Sequence, residues 1–372
     1  MRAVSFTLVV AISAIAVAKS PAQSQPPQIW QMQNSGSTAG LRGIDSVDGK
    51  VAWASGSEGT VLKTTDGGAH WQKCAIPDAA TDGATLDFRG VQAWDADTAI
   101  VMASGPGDKS RLYKTTDGCK TWMLLLQNPD KDGFWDALKL WTPTDGFLAG
   151  DPIEAHPFLT EFTSYNGVMI DNVLFALKSN AGEAAFAASN SCLAVADFHT
   201  KDGSAREVWF ATGGPAGSRV IHYRHFNGGE PERASTSVSE VPVFPKSANG
   251  GIFSIYFRGN NNGLAVGGDY TKPNESTGAA AWSSDGGKIW TASTTPPHGY
   301  RSSVQWSEAL RAWIAVGTNG SDVSRDDGRT WQPLDDGNWN ALSLPFVVGP
   351  NGRIARINPN ALARPPAARE EK

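Results

Sequence analysis

Apolar and polar residues recur along this chain in a fixed order. LRGIDSV (Leu41–Val47) and FRGVQAW (Phe88–Trp94) alternate apolar and polar positions with the two-residue period of a half-buried strand. The same element returns as FWDALKLW (Phe134–Trp141), GIFSIYF (Gly251–Phe257), YRSSVQW (Tyr300–Trp306) and WNALSL (Trp339–Leu344). A turn follows each, and then a strand of small residues ending near Gly: VAWASG, AIVMASG, GFLAGD, GLAVGGD, AWIAVG and PFVVG. A further unit opens near AAFAASNSCLAV (Ala184–Val195), whose Ala-rich start could be helix but whose place in the order favours strand. Units therefore start near residues 41, 88, 134, 185, 252, 301 and 339, which makes seven.

A second pattern punctuates the first. TTDGGAHW (Thr64–Trp71), TTDGCKTW (Thr115–Trp122), SSDGGKIW (Ser283–Trp290) and SRDDGRTW (Ser324–Trp331) align without gaps. Asp66, Asp117, Asp285 and Asp326 hold the third position, and Trp71, Trp122, Trp290 and Trp331 the eighth. The Asp spacings are 51 and 41 residues within each pair of copies, with 168 between the pairs. That gap requires two degenerate units, with remnants at Thr163–Gly167 and His225–Gly229. A carboxylate two residues after Ser or Thr can accept turn amides, Gly supplies positive φ, and Trp covers the hairpin. The pattern resembles the Asp-box (BNR) motif of sialidase-like β-propellers, which implies turns between the third and fourth strands of a blade, on the face away from the usual ligand site.

The seventh unit lacks a box and a closing strand, while IWQMQ (Ile29–Gln33) resembles the strand after each box, as in HWQKC, yet precedes the first unit. The expected fold is thus all-β: a seven-bladed β-propeller over residues 28–358, closed by the N-terminal strand, which leaves no free sheet edge. The Ala/Arg/Pro-rich residues 359–372 are expected to form a flexible tail.

Composition agrees. The 372 residues include 40 Gly, 22 Pro and 14 Trp, with 19% charged, which excludes a helical bundle, a coiled coil and a multi-span membrane protein. A net charge of −5 argues against a nucleic-acid partner. Met1–Arg2 followed by the apolar run Ala3–Ala18 and small residues to Ala22 reads as a secretory signal peptide over residues 1–22, so the chain is expected to be exported to the periplasm or beyond. Cys74, Cys119 and Cys192 allow at most one pair and fit no metal spacing, so they read as three small semi-buried residues. The six His residues are scattered, and no metal or cofactor motif is present.

The export signal, the seven units, the box motifs and the segments GIFSIYFRG, AVGGDY and GYRSSV resemble the photosystem II assembly-factor-like propellers, and more closely their bacterial relatives outside phototrophs. The resemblance spans roughly residues 28–358. It implies a non-catalytic factor that binds a protein at the cell envelope.

Projecting the repeat onto a propeller gathers one rim. Arg42, Arg89, Asp136 and Arg301 stand at inner-strand starts, while Glu58, Asp151, His156, Asp269, Tyr270 and Lys272 follow second strands. Such a mixed ring suits docking of a protein or an anion, because guanidinium forks hold carboxylates. The alternative is that Arg42 and Arg89 brace the channel against acids of neighbouring blades. A sialidase would need a FRIP-type segment before the first box, which is absent. A glycoside hydrolase acting on a glycan would use Asp151 and Asp269 as paired carboxylates across the channel.

Overall fold

The computed structural model describes residues 28–163, 169–200, 203–227 and 233–362. Residues 1–27, with the expected signal peptide, lie outside the described residues, as do residues 164–167 of the first box remnant and 228–229 of the second. Seven four-stranded antiparallel sheets form the chain into a β-propeller. Blades 1 to 6 follow in sequence, with inner strands at Leu41–Ser46, Phe88–Ala93, Trp135–Thr142, Leu193–Thr200, Gly250–Arg258 and Ser303–Ser307. Blade 7 takes three strands from Ala341–Ser343, Phe346–Val348 and Ile354–Ile357, and its fourth from Trp30–Gln33. That N-terminal strand pairs Trp30 with Ile357 and Gln33 with Ile354, which closes the ring as expected.

The repeated turns sit between third and fourth strands. In blade 1, the Thr64 hydroxyl donates to Asp66 at 2.9 Å and accepts from the Gly68 amide at 2.9 Å, while Asp66 accepts the His70 amide at 2.9 Å. The other three turns repeat these bonds around Asp117, Asp285 and Asp326. Amide and ring contacts from His70 hold Asp66 down to about 2, and Thr121 does the same for Asp117.

The box tryptophans reach further than their own hairpins. Trp122 of blade 2 packs edge-on against Trp53 of blade 1 at 6.5 Å, and Trp71 of blade 1 against Phe346 of blade 7 at 5.8 Å. Trp331 of blade 6 joins a cluster with Leu264 and Ala280 of blade 5. Each is therefore a joint to the preceding blade, and the seven apolar clusters lie mostly between neighbouring blades.

Three expectations about the fold need correction. Cys74 and Cys119 form a disulfide with Cα atoms 5.3 Å apart, which staples the end of blade 1 to the box turn of blade 2; Cys192 is free and buried. Spacing in sequence could not reveal a pair that only the packing of two blades brings together. The inner strand of blade 4 begins at Leu193, not near 185, because Ala184–Cys192 is irregular and crosses the channel. The tail does not start at Pro359: Pro359–Ala361 is a 3-10 turn capped by Asn358, and Leu362 packs on the blade 6–7 cluster.

Candidate functional site

One repeat position builds the channel mouth. A glycine stands at or near the end of the second strand of blades 1, 3, 5, 6 and 7: Gly56, Gly150, Gly267, Gly317 and Gly349. A Cβ at these would stand 1.9–2.3 Å from the carbonyl oxygens of Gly40, Phe134, Gly251, Tyr300 and Asn338, so only glycine lets the inner strand begin so close. These contacts fix the register. Leu41, Trp135, Ile252, Arg301 and Trp339 follow the touching carbonyl and point into the blades, where each is at most 1% exposed. The next residue along is turned the other way.

In blades 1, 2, 3 and 5 a β-bulge lies at that next residue, between Leu41 and Gly43, Phe88 and Gly90, Trp135 and Ala137, and Ile252 and Ser254. A bulge re-aims the extra side chain. Here it turns Arg42, Arg89, Asp136 and Phe253 into a single cavity of about 490 Å³, which Ser302 and Asn340 of blades 6 and 7 complete from the equivalent position. Arg301 is one residue out of step. A one-residue offset exchanges core and solvent faces of a strand, and Arg301 therefore occupies the buried slot, fully inaccessible and hydrogen-bonded through Nε to the equally buried Asp322 at 2.5 Å. It supports the rim from behind and does not line it.

The remaining expected residues divide. Asp151 and Tyr270 line the cavity; Asp269, Glu58, His156 and Lys272 do not. The Asp269 carboxylate is engaged by the Thr271 hydroxyl at 2.6 Å, the Thr271 amide at 3.0 Å and Ser247 at 3.0 Å, bonds that hold it below the usual carboxylate range. Asp151 and Asp269 thus do not share a cavity, and the carboxylate beside Asp151 is Asp136.

Charge at the mouth is unevenly compensated. Asp87, which sequence reasoning overlooked, sits between the two arginines, 2.8 Å from Arg89 Nε and 3.3 Å from Arg42 Nε. The bracing reading is therefore present in part: Arg42 of blade 1 meets an acid just ahead of blade 2. One carboxylate serves two guanidinium groups, and Arg42 Nε, Asp87 Oδ1, Asp136 Oδ2 and Thr318 Oγ1 are buried without a hydrogen-bond partner. Burial, then the neighbouring Asp151 charge, pushes the Asp136 carboxyl well above its ordinary range, against the pull of Arg89. Burial also raises Asp151, offset by the Ala185 amide, which donates to Asp151 Oδ1 at 3.1 Å.

The opposite wall is aromatic. Phe186 and Phe253 stack with centroids 3.9 Å apart, Tyr300 meets Phe253 edge-on at 4.8 Å, and Tyr270 at 6.2 Å. Phe253 was missed in sequence although it holds the repeat position of Arg42. Phe186 belongs to the channel-crossing segment, which has no counterpart in other blades.

That segment closes the floor. Ser189 donates to the Ser302 carbonyl at 2.7 Å, Asn190 Oδ1 accepts the Leu138 amide at 2.7 Å, and Ser191 donates to Ser254 at 2.8 Å. Bonds to blades 3, 5 and 6 make the channel two blind cups. Among the described residues no cluster of His, Cys, Asp and Glu could hold a metal ion, and no helix is long and apolar enough to cross a membrane.

Fold and mouth together define a seven-bladed propeller with a cupped rim, and solved structures share that architecture. The structure is similar to YCF48 from Cyanidioschyzon merolae, with a TM-score of 0.56, 15% identity and coverage of 89% of this chain and 99% of that one. It is also similar to YCF48 bound to D1 peptide (TM-score 0.55, 13% identity, 89% and 97% covered) and to the WD40 propeller domain of Doa1 (0.51, 9%, 90% and 99%). No family model matches the chain, and no curated protein does.

Proposed function

We propose that this protein is a non-catalytic docking propeller that holds a segment of a partner protein in its mouth. The convergence of one repeat position from six blades on a single cavity carries the reading. Arg42 and Arg89, sharing Asp87, retain donor capacity for a carboxylate of the partner. The Phe186–Phe253 stack and Tyr300 offer an apolar wall for an adjoining aromatic or aliphatic side chain. A segment carrying an acidic residue next to an apolar one matches both halves. A structural neighbour described as bound to D1 peptide supports a peptide as the kind of occupant.

The reading extends to the setting. The Thr/Ser-x-Asp turns match the Asp-box pattern, and we assign the chain to the bacterial branch of the photosystem II assembly-factor-like propellers, exported through residues 1–22 and acting on an envelope partner. The test is a pull-down from envelope extracts with the mature chain and with Arg42→Ala/Arg89→Ala. A partner recovered by the wild type and depleted at least about tenfold by the double variant is expected. No partner, or an unchanged set, would overturn the docking mouth.

A further inference from the structure

Below the floor formed by Asn190 lies a second cavity of about 240 Å³, on the side of the repeated turns. Six blades contribute to its wall, and two of its residues are charged: Asp45 of blade 1 and Lys139 of blade 3. Asp45 accepts the Ala93 amide through Oδ2 at 2.7 Å, and its Oδ1 has no hydrogen bond among the described residues. Lys139 makes no hydrogen bond or ion pair with the described residues, although Asp45 acts on it electrostatically. Burial pulls the Lys139 ammonium down and the Asp45 carboxyl up. A donor and an acceptor thus face one cavity without meeting each other.

We infer that this lower cup binds a neutral polyol about the size of a monosaccharide. Charge selects against ions. The Lys139–Asp45 pair sums to zero, so an added anion or cation would remain uncompensated in a half-buried site. A hydroxyl suits the gap, since it accepts from the ammonium and donates to the carboxylate, and vicinal hydroxyls do both at once. The Ser343 side chain, whose Oγ already accepts the Ser46 amide at 3.0 Å, has its hydroxyl proton left to donate. Ile44, Leu193 and Leu342 supply apolar surface for the carbon faces. The volume falls below the roughly 300–1,000 Å³ of drug-sized pockets, which leaves room for a six-carbon ligand but not for a peptide.

The experiment is saturation-transfer NMR on the mature chain with D-glucose, myo-inositol and D-mannitol, beside acetate, phosphate and ethylammonium. At least one polyol should show saturable transfer, its dissociation constant rising about tenfold in Lys139→Met and in Asp45→Asn. Arg42→Ala/Arg89→Ala should leave that binding unchanged, which separates the lower cup from the docking mouth. No transfer to any polyol, preference for an ion, or polyol binding indifferent to both variants would overturn the inference. Should a variant fail to fold, a wild-type crystal soaked in the binding polyol decides: density between Lys139 and Asp45 supports the site, and density elsewhere or none overturns it.

Discussion

Reducing the Cys74–Cys119 bond should cost this propeller several kcal/mol without altering its fold. The bond joins residues 45 apart. Chain-entropy arithmetic for a loop of that length gives about 4 kcal/mol of restraint on the unfolded state at 25 °C. With an unfolding entropy near 2.1 cal/mol/K per residue, a ring of this length should lose about 6 °C in Tm. Guanidinium unfolding of the wild type with and without a phosphine reductant measures the effect with every side chain retained. Cys119 adds an internal control. It lies at φ +67°, in the position that is Gly in the other three turns, where a side chain is strained. Cys74→Ala/Cys119→Gly should therefore be more stable than Cys74→Ala/Cys119→Ala, by up to about 1 kcal/mol. A reduced protein within about 1 kcal/mol of the oxidised one would refute the loop argument, and two equally stable variants would refute the strain argument.

Three further outcomes are expected. Arg301→Met should destabilise by about 3–5 kcal/mol in denaturant titrations by taking the guanidinium from the buried Asp322 carboxylate and leaving it His298, whereas Arg301→Met/Asp322→Leu should recover only part of that loss, since His298 then lacks its acceptor. Asp136 titrates above its ordinary 3.8 when folded, so ionisation costs the folded state more than the unfolded one and stability from this group falls as pH rises above that value. Asp136→Asn should thus be more stable than wild type at pH 7, with the advantage vanishing near pH 4 in Tm measured against pH. Trp30→Ala, which removes a buried ring bonded to Ser321 at 3.0 Å and packed on Trp339, should cost about 3–5 kcal/mol by chemical denaturation.

The blade count and the closing strand were legible because they rest on local signals: alternation, turn chemistry, and the likeness of IWQMQ to HWQKC. The mouth was half legible. Arg42, Arg89 and Asp136 follow from the repeat, and so would Phe253 if the second residue of each inner strand were tabulated whatever its chemistry. Arg301 misled because YRS mimics LRG and FRG one residue out of step, and the partner that explains it, Asp322, lies on another strand. The channel-crossing segment could not be read at all. Its Ala-rich run has no period, and its bonds go to backbone groups and a serine hydroxyl of distant blades. Cys119 did carry a signal, since a non-glycine stood where the other copies of the motif place Gly.

Closure by Trp30–Gln33 has a consequence for how the chain must be made. The strand pairs with Ile354–Ile357, so residue 30 waits for residue 357. At roughly 5–20 residues per second, synthesis leaves it without a partner for roughly 15–65 s. During that wait it resembles the outer strands of blades already forming and can compete for their edges. The earliest strand translated is the last to find its place, and a nascent chain stalled before residue 354 holds six blades with an open flank that no amount of time can seal.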